Sequence, residues 1–206
     1  DPVSLQGFFM LLAAPGIGSD MAVVAKDVII VLDTSGSMEG EKLSQAKAAV
    51  TYVLGHLNSE DRFGVIEFST GVRYYDQALQ SAAEASVASG WVQSVPSTGG
   101  TDINGALLAA MAMADSERPT YVIFLTDGLP TEGEIDSPVI LANVGAASGG
   151  NVRLFSFGVG DDVDTFLLDS LVQQENGVSS YVRPGERIDE EVSTFYAKVG
   201  SPVLTD

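Results

Sequence analysis

Small oxygen-bearing side chains follow the first apolar run of the sequence at alternate positions. Asp33, Ser35 and Ser37 come directly after residues 28–32, a run that is aliphatic throughout. Such a run is typical of a strand that is buried on both faces of a parallel sheet. Open α/β sheets bind their ligands in the loops at the carboxyl ends of their strands. Because hard cations such as Mg²⁺ prefer oxygen ligands, this loop predicts a metal site.

Two later loops carry side chains of the same kind. Thr101 lies in a glycine-rich loop, residues 97–102, and Asp127 follows a second apolar strand, residues 121–125. The loops that follow parallel strands lie at the same edge of a sheet. The loops that contain Asp33 and Asp127 are therefore expected to converge at that edge.

The spacing of the first loop predicts how its side chains face an ion. In an extended segment alternate side chains share one side, so Ser35 and Ser37 would point at one ion together. Gly36 and Gly100 would let the backbone bend around that ion. We expect this loop to be exposed, so that replacing Asp33 by alanine removes metal binding and leaves the fold intact.

The chemistry of these five side chains favours Mg²⁺. This ion takes near-octahedral oxygen coordination and keeps several of its waters. The hydroxyl ligands are neutral and only the two aspartates supply charge, so the ion would stay electron-poor. An acidic side chain from outside could then enter an open coordination position. Mn²⁺ and Ca²⁺ also accept oxygen ligands and are the alternatives.

The composition limits the classes of partner. The chain has 206 residues, with 28 acidic residues against ten lysines and arginines, which gives a formal net charge of −18. Nucleic acids and anionic membrane surfaces attract basic proteins, so we expect neither as a partner. The absence of cysteine excludes disulfides, zinc–thiolate sites and cysteine nucleophiles. No apolar stretch is long enough to insert across a bilayer.

Apolar runs and amphipathic segments alternate along the chain. We predict strands at residues 28–32, 62–68, 72–75, 121–125, 153–159 and 179–182, and helices at residues 41–57, 81–95, 103–114, 138–147, 164–174 and 188–199. Repeated strand–helix units predict an α/β fold, Rossmann-like and doubly wound, with a mostly parallel central sheet and helices on both faces. The strand at residues 72–75 follows a hairpin signal and would be the one antiparallel edge strand. Gly90 is expected to weaken the second helix.

The sequence divides into three predicted parts. Residues 1–26 form a lead-in segment, in which the apolar residues 8–14 would be an edge strand or the end of a preceding β-rich domain. Residues 27–200 form the α/β domain. Residues 201–206 begin a following segment.

The three oxygen-bearing loops together resemble the metal-ion-dependent adhesion site, or MIDAS, of von Willebrand factor A (VWA) domains. The family motif is Asp-x-Ser-x-Ser, then a distant Thr and a later Asp. The matching positions in this sequence are Asp33, Ser35, Ser37, Thr101 and Asp127. The resemblance covers about residues 27–199 and implies a complete MIDAS, with the hydroxyls as direct ligands and the aspartates binding directly or through water. In several family members a shift of the last helix, here residues 188–199, changes affinity.

Four shorter segments resemble one branch of this family. Residues 26–33, 58–68, 157–162 and 201–206 are similar to the A domain of inter-alpha-trypsin inhibitor heavy chains and their bacterial surface relatives. The resemblance implies a metal-dependent, adhesion-type binding module of a larger secreted or cell-surface protein, of bacterial origin. Its partner would be an acidic residue of a protein or extracellular-matrix ligand, and neighbouring domains of the same chain are expected.

Two other functions are compatible with parts of this pattern. In the first, the module is a scaffold that docks a neighbouring domain through the same site. In the second, remote alternative, Asp33 is the nucleophile of a Mg²⁺-dependent phosphotransferase. That chemistry requires a second carboxylate and a phosphate-holding lysine near Asp33, whereas position 35 is serine and Lys42 and Lys47 lie on the following helix. No Walker, dinucleotide-binding or nucleophile-elbow motif is present, so we expect no enzyme.

Several other aspartates have a simpler explanation than metal binding. Asp161, Asp162 and Asp164 follow a predicted strand and could form a second cation site, but helix capping or solvation is the expected role. Asp102 is expected to cap the helix that follows Thr101.

Overall fold

A mixed β-sheet forms the centre of the protein, and the structure, a computed structural model, describes residues 24–199. Within that range seven strands form one sheet in the order β3-β2-β1-β5-β6-β7, with β4 also paired to β2. The strands are β1 (Asp27–Asp33), β2 (Arg62–Phe68), β3 (Val72–Tyr74), β4 (Gln80–Ser81), β5 (Thr120–Thr126), β6 (Val152–Val159) and β7 (Val178–Val182). Strands β1, β2, β5, β6 and β7 are parallel, so their carboxyl ends meet at one edge of the sheet.

The antiparallel part of the sheet lies along β2. Strand β3 pairs antiparallel with the carboxyl half of β2, as the sequence predicted. The two-residue strand β4 pairs antiparallel with Arg62 and Phe63 on the same strand. Two residues are too short for an alternating pattern, so the sequence carried no signal for β4.

Within residues 24–199, six α-helices cover the sheet. They are α1 (Glu41–Gly55), α2 (Ala85–Ser94), α3 (Ile103–Met113), α4 (Ser137–Ala147), α5 (Thr165–Gln174) and α6 (Ile188–Val199), with short 3-10 turns at Gly36–Met38 and Ala82–Glu84. The second predicted helix begins later than expected, because Ser81 caps the 3-10 turn that precedes α2. Helix α2 continues through Gly90, where a side chain would meet open space.

The residues of β1 alternate between two apolar layers. Val28, Ile30 and Leu32 pack in a cluster with α1, α2 and α6, whereas Ile29 and Val31 pack in a cluster with α3, α4 and α5. All seven residues of β1 are buried. Helices therefore lie on both faces of the sheet, which confirms the predicted doubly wound α/β fold.

Some predictions fall outside the described part of the chain. The lead-in strand at residues 8–14 and the segment at residues 201–206 lie there, so the three-part division of the chain stays a prediction. Across residues 24–199, no helix has the length and apolar character needed to cross a membrane.

Candidate metal centre

The loop after β1 is folded by a short 3-10 turn. Thr34 donates from both its backbone N and its Oγ1 to the carbonyl oxygen of Phe68, at 2.8 and 2.9 Å, which attaches the loop to the end of β2. The chain then turns at Gly36–Met38, and Ser35 Oγ lies 3.0 Å from Ser37 Oγ. The extended geometry that the sequence analysis assumed is therefore wrong. The two hydroxyls meet because a tight turn folds the chain.

The second loop is fastened to the first. Three hydrogen bonds run from Gly36 N to Gly99 O (3.0 Å), from Thr98 N to Thr34 O (2.8 Å) and from Ser97 Oγ to Ser35 O (2.6 Å). These bonds connect two backbone segments that are more than 60 residues apart in sequence, as the Ser97 bond shows with a separation of 62. The position of the second loop therefore depends on the first.

The glycine that bends the second loop is Gly99. Its φ is +78°, a left-handed conformation that favours glycine, whereas Gly36 and Gly100 do not have positive φ. A Cβ at Gly100 would lie 2.4 Å from Glu132 Cγ, so this glycine gives space rather than a bend. The predicted bending role of Gly36 and Gly100 is corrected accordingly.

The third loop, which follows β5, holds the second loop at Thr101. Thr101 N donates to Thr131 Oγ1 at 2.9 Å, and Thr131 N donates back to Thr101 O at 3.0 Å. A Cβ placed on Gly128 would lie 3.7 Å from Thr101 Oγ1 and 4.0 Å from Ser37 Oγ. The two hydroxyls therefore approach the same space beside Gly128.

Asp33 is a buried carboxylate with neutral partners. It is fully buried, and it accepts hydrogen bonds from Ser35 N at 2.8 Å and from Thr126 Oγ1 at 2.6 Å. Burial raises the pKa of this carboxyl, the two hydrogen bonds partly offset that rise, and the charge of Asp127 adds to it. No lysine or arginine within residues 24–199 pairs with Asp33. The ionised side chain therefore favours a positive charge from another source.

Asp127 has two polar partners on its two oxygens. Ser37 Oγ donates to Oδ1 at 2.7 Å, and Lys42 Nζ lies 2.5 Å from Oδ2. Lys42 was expected only to lie on the following helix, and this contact was not predicted from the sequence. One signal was available, because a lysine in the first turn of a helix is unfavourable beside the positive end of the helix dipole and therefore favours an acidic partner.

The expected exposure of the first loop is only partly right. Asp33, Ser35, Thr101 and Asp127 are buried, whereas Ser37 is exposed. Replacement of Asp33 by alanine would therefore leave a space inside the protein. Asparagine, which keeps the shape of the side chain, is the better substitution for testing metal binding.

The set of donors fits a hard divalent cation. It consists of two buried carboxylates and three hydroxyls, all of them oxygen, and Mg²⁺, Mn²⁺ and Ca²⁺ prefer such ligands. Elsewhere in the described part of the chain, no group of three or more His, Cys, Asp or Glu side chains is placed to hold a metal. The mixed hydroxyl and carboxylate site is thus the candidate that the structure offers.

The neighbouring aspartates act as helix caps. Asp102 Oδ1 accepts from Gly105 N at 2.8 Å at the start of α3. Asp164 Oδ1 accepts from Leu167 N at 2.9 Å at the start of α5, and its other oxygen accepts from the Ser137 hydroxyl at 3.0 Å. The capping role expected for Asp102 and Asp164 is confirmed.

Comparison with known proteins identifies the family. The sequence profile of the von Willebrand factor type A domain matches residues 27–190. The chain belongs to this family. VWA domains are binding or adhesion modules and not enzymes, which agrees with the expectation that this chain is not an enzyme.

The sequence relatives agree with the finer resemblance. This VWA domain is 32% identical to inter-alpha-trypsin inhibitor heavy chain H2 of Homo sapiens over 210 residues, covering 97% of this chain and 22% of that protein. It is also 32% identical over 211 residues to heavy chain H4 of Homo sapiens, with the same two coverages. The chain therefore spans about a fifth of the length of these relatives.

Solved structures show the same architecture. The von Willebrand factor type A protein from Catenulispora acidiphila superimposes with a TM-score of 0.72 and 25% identity, over 87% of this chain and 42% of that chain. Proximal thread matrix protein 1 from the mussel byssus, with a zinc-occupied MIDAS motif, superimposes with a TM-score of 0.62 and 18% identity, over 85% of this chain and 47% of that chain. At that identity the second likeness concerns the fold alone.

Proposed function

We propose that this VWA domain binds one divalent cation at its carboxyl edge. The five proposed ligands are Asp33, Ser35, Ser37, Thr101 and Asp127, and together they would form a complete MIDAS. Mg²⁺ is the preferred ion, with Mn²⁺ and Ca²⁺ as alternatives. The observation that carries the proposal is Asp33, a buried carboxylate held by neutral donors and placed beside a second carboxylate. The zinc-occupied MIDAS of the mussel protein supports the proposal, because its fold is the same.

The proposed ion would serve as a receptor for an acidic side chain. Of the five ligands only Ser37 is exposed, so the ion would be reached from solvent on the side of that residue. Three neutral hydroxyls leave the ion electron-poor, and a carboxylate from outside would be a strong ligand. The function that follows is metal-dependent, adhesion-type binding of a protein or an extracellular-matrix ligand.

The setting of this function is part of the proposal. We expect a larger protein that is secreted or on the cell surface, in which neighbouring domains accompany the VWA domain, because the related heavy chains are much longer than this chain. Nucleic acid is not expected as a partner at a net charge of −18. Bacterial origin stays a prediction.

The length of the relatives also favours a second candidate function. A domain that spans 22% of its relatives has neighbours in those proteins. The same site could dock one of them and so act as a scaffold. Metal-dependent binding of a separate acidic peptide would favour adhesion, whereas binding to flanking domains alone would favour the scaffold.

Calorimetric titration of Mg²⁺ into chelator-treated protein tests the metal site. We expect saturable binding to the wild type and loss of affinity by at least about 100-fold in Asp33→Asn, since a buried anionic ligand is removed. The matched control is Asp102→Asn, which removes one negative charge beside Thr101 but no proposed ligand. Asparagine also caps helices well, so α3 is preserved. Equal losses in the two variants, or no binding to the wild type, would refute the proposed site.

A further inference from the structure

Lys42 lies at the border between the candidate metal site and solvent. It is the second residue of α1, and its Nζ lies 2.5 Å from Asp127 Oδ2. The side chain of Asp127 is fully buried, whereas that of Lys42 is 42% exposed. Lysine is poorly placed at the amino end of a helix, where the dipole repels cations. Its position is therefore explained by Asp127 rather than by the helix.

Three side chains determine the charge of the candidate metal site. Asp33 and Asp127 carry two negative charges, and Lys42 carries one positive charge. A divalent ion would bring the site to +1, and a carboxylate from a ligand would then bring it to zero. Without Lys42 the loaded site would be neutral before the ligand arrives, and an added carboxylate would leave it at −1.

This difference is important in a protein whose formal net charge is −18. Such a protein repels acidic ligands at long range, and a local positive charge is needed to offset that repulsion. We propose that Lys42 keeps the metal-loaded site positive, which favours entry of an acidic side chain and lowers the affinity for the metal itself. This inference rests on the proposed metal site and adds a determinant of ligand specificity to it.

The surroundings of Lys42 leave it room to stay beside a bound ion. A cavity of about 260 Å³ lies next to it, between the start of α1, the loop after β6 and the loop after β7. Gly160 and Arg183 are among the residues that line this cavity. A Cβ on Gly160 would lie 3.7 Å from Lys42 Nζ, so the ammonium group lies close to the loop after β6. The flexible lysine stem therefore has space to keep its ammonium group beside a bound ion.

The test compares Lys42→Met with the wild type in two titrations. Methionine keeps the length of the side chain and removes its charge. The control is Lys198→Met, which removes the same charge from the exposed last turn of α6, about 15 Å along that helix from its first residue. Mg²⁺ affinity is measured by calorimetry, and acetate affinity is measured from the relaxation of the acetate methyl protons in Mn²⁺-loaded protein.

We expect Lys42→Met to bind Mg²⁺ about tenfold more tightly and acetate about tenfold more weakly, because one charge within a few ångströms is removed. Lys198→Met should change neither affinity by more than about twofold. Unchanged or weaker Mg²⁺ binding by Lys42→Met, or unchanged acetate binding, would overturn the inference while the wild type still binds metal. Failure of both proteins to bind Mg²⁺ would instead overturn the proposed metal site. Lys42→Gln replaces the methionine variant if the latter does not fold, with the same expected results.

Discussion

The two edges of the sheet use buried aspartates in different ways. At the amino edge Lys26 Nζ lies 2.7 Å from Asp61 Oδ2, and both side chains are almost fully buried. Arg62 binds both oxygens of the buried Asp27, at 2.8 and 2.7 Å, and also contacts Asp115. Each buried carboxylate at this edge therefore has a cation from the chain itself. Such pairs are costly to break, because the remaining charge would stay buried.

At the carboxyl edge the described residues do not supply a cation for each buried carboxylate. Asp33 accepts only from Ser35 and Thr126 among residues 24–199, and both donors are neutral. Asp127 has a lysine partner, and the side chain of Lys42 is partly exposed. Both buried aspartates at the amino edge have a cation from the chain, whereas at the carboxyl edge Asp127 has one and Asp33 has none among residues 24–199. The comparison indicates that Asp33 is what makes the carboxyl edge available to an ion from solution.

Breaking the pair at the amino edge should have the largest effect on stability. Asp61→Asn leaves the buried Lys26 ammonium without a carboxylate, and we expect the free energy of unfolding to fall by about 3–5 kcal/mol. Urea denaturation measures this change, and Mg²⁺ affinity should stay within about twofold of the wild type. A loss below about 1 kcal/mol would show that the amino edge is not the structural one.

The equivalent change at the carboxyl edge should act in the opposite direction. Burial raises the pKa of Asp33 above its ordinary value of 3.8, so the ionised form costs stability in metal-free protein. That cost appears as pH rises through the ordinary value and is complete above the raised pKa. We expect metal-free Asp33→Asn to gain stability over the wild type across that interval in thermal melts. The stability of Asp33→Asn minus that of the wild type should be larger at neutral pH than at pH 3. A smaller difference at neutral pH would contradict this.

Thr101→Ala distinguishes binding of the metal from metal-dependent binding of an acidic ligand. The hydroxyl approaches the space beside Gly128 together with that of Ser37, and it carries no charge. We expect a loss of about tenfold in metal-dependent binding of an acidic peptide, with a smaller loss in Mg²⁺ affinity. Paired calorimetric titrations measure both quantities. Equal losses would mean that Thr101 serves the metal alone.

Removal of a helix cap should have the smallest effect. Asp164 accepts from Leu167 N and from the Ser137 hydroxyl at the start of α5. We expect Asp164→Ala to lower the free energy of unfolding by about 1 kcal/mol and to leave Mg²⁺ affinity unchanged. A second phase in the wild-type Mg²⁺ titration that is absent from this variant would instead support a second cation site at residues 161–164.

Much of the fold was predictable because its signals are local. The aliphatic run of β1 predicted a strand buried on both faces, and the structure packs its alternate residues against helices on the two sides. The bounds of α1 and α3 were within two residues of their predictions. Strand β4 was missed, because its two residues are held by pairing with Arg62 and Phe63 rather than by a pattern of their own.

The candidate site was less predictable in its geometry than in its composition. The sequence alone determined which side chains could bind a metal, since Asp33, Ser35 and Ser37 follow an apolar strand and match a family motif. Only the tertiary structure decided how they meet, because the 3-10 turn at Gly36–Met38 is held by contacts with the second loop.

The charge balance of the site was likewise decided by the tertiary structure. Lys42 and Asp127 are 85 residues apart. The place of Lys42 in the first turn of a helix favours an acidic partner, but nothing in the sequence indicates that this partner is Asp127. Local sequence determines strands, helices and turns through short-range sterics and hydrogen bonds. Whether a buried carboxylate meets a basic side chain or only neutral donors depends on which loops the packed sheet brings together. In this VWA domain that packing gives Asp27, Asp61 and Asp127 a basic partner and gives Asp33 neutral donors.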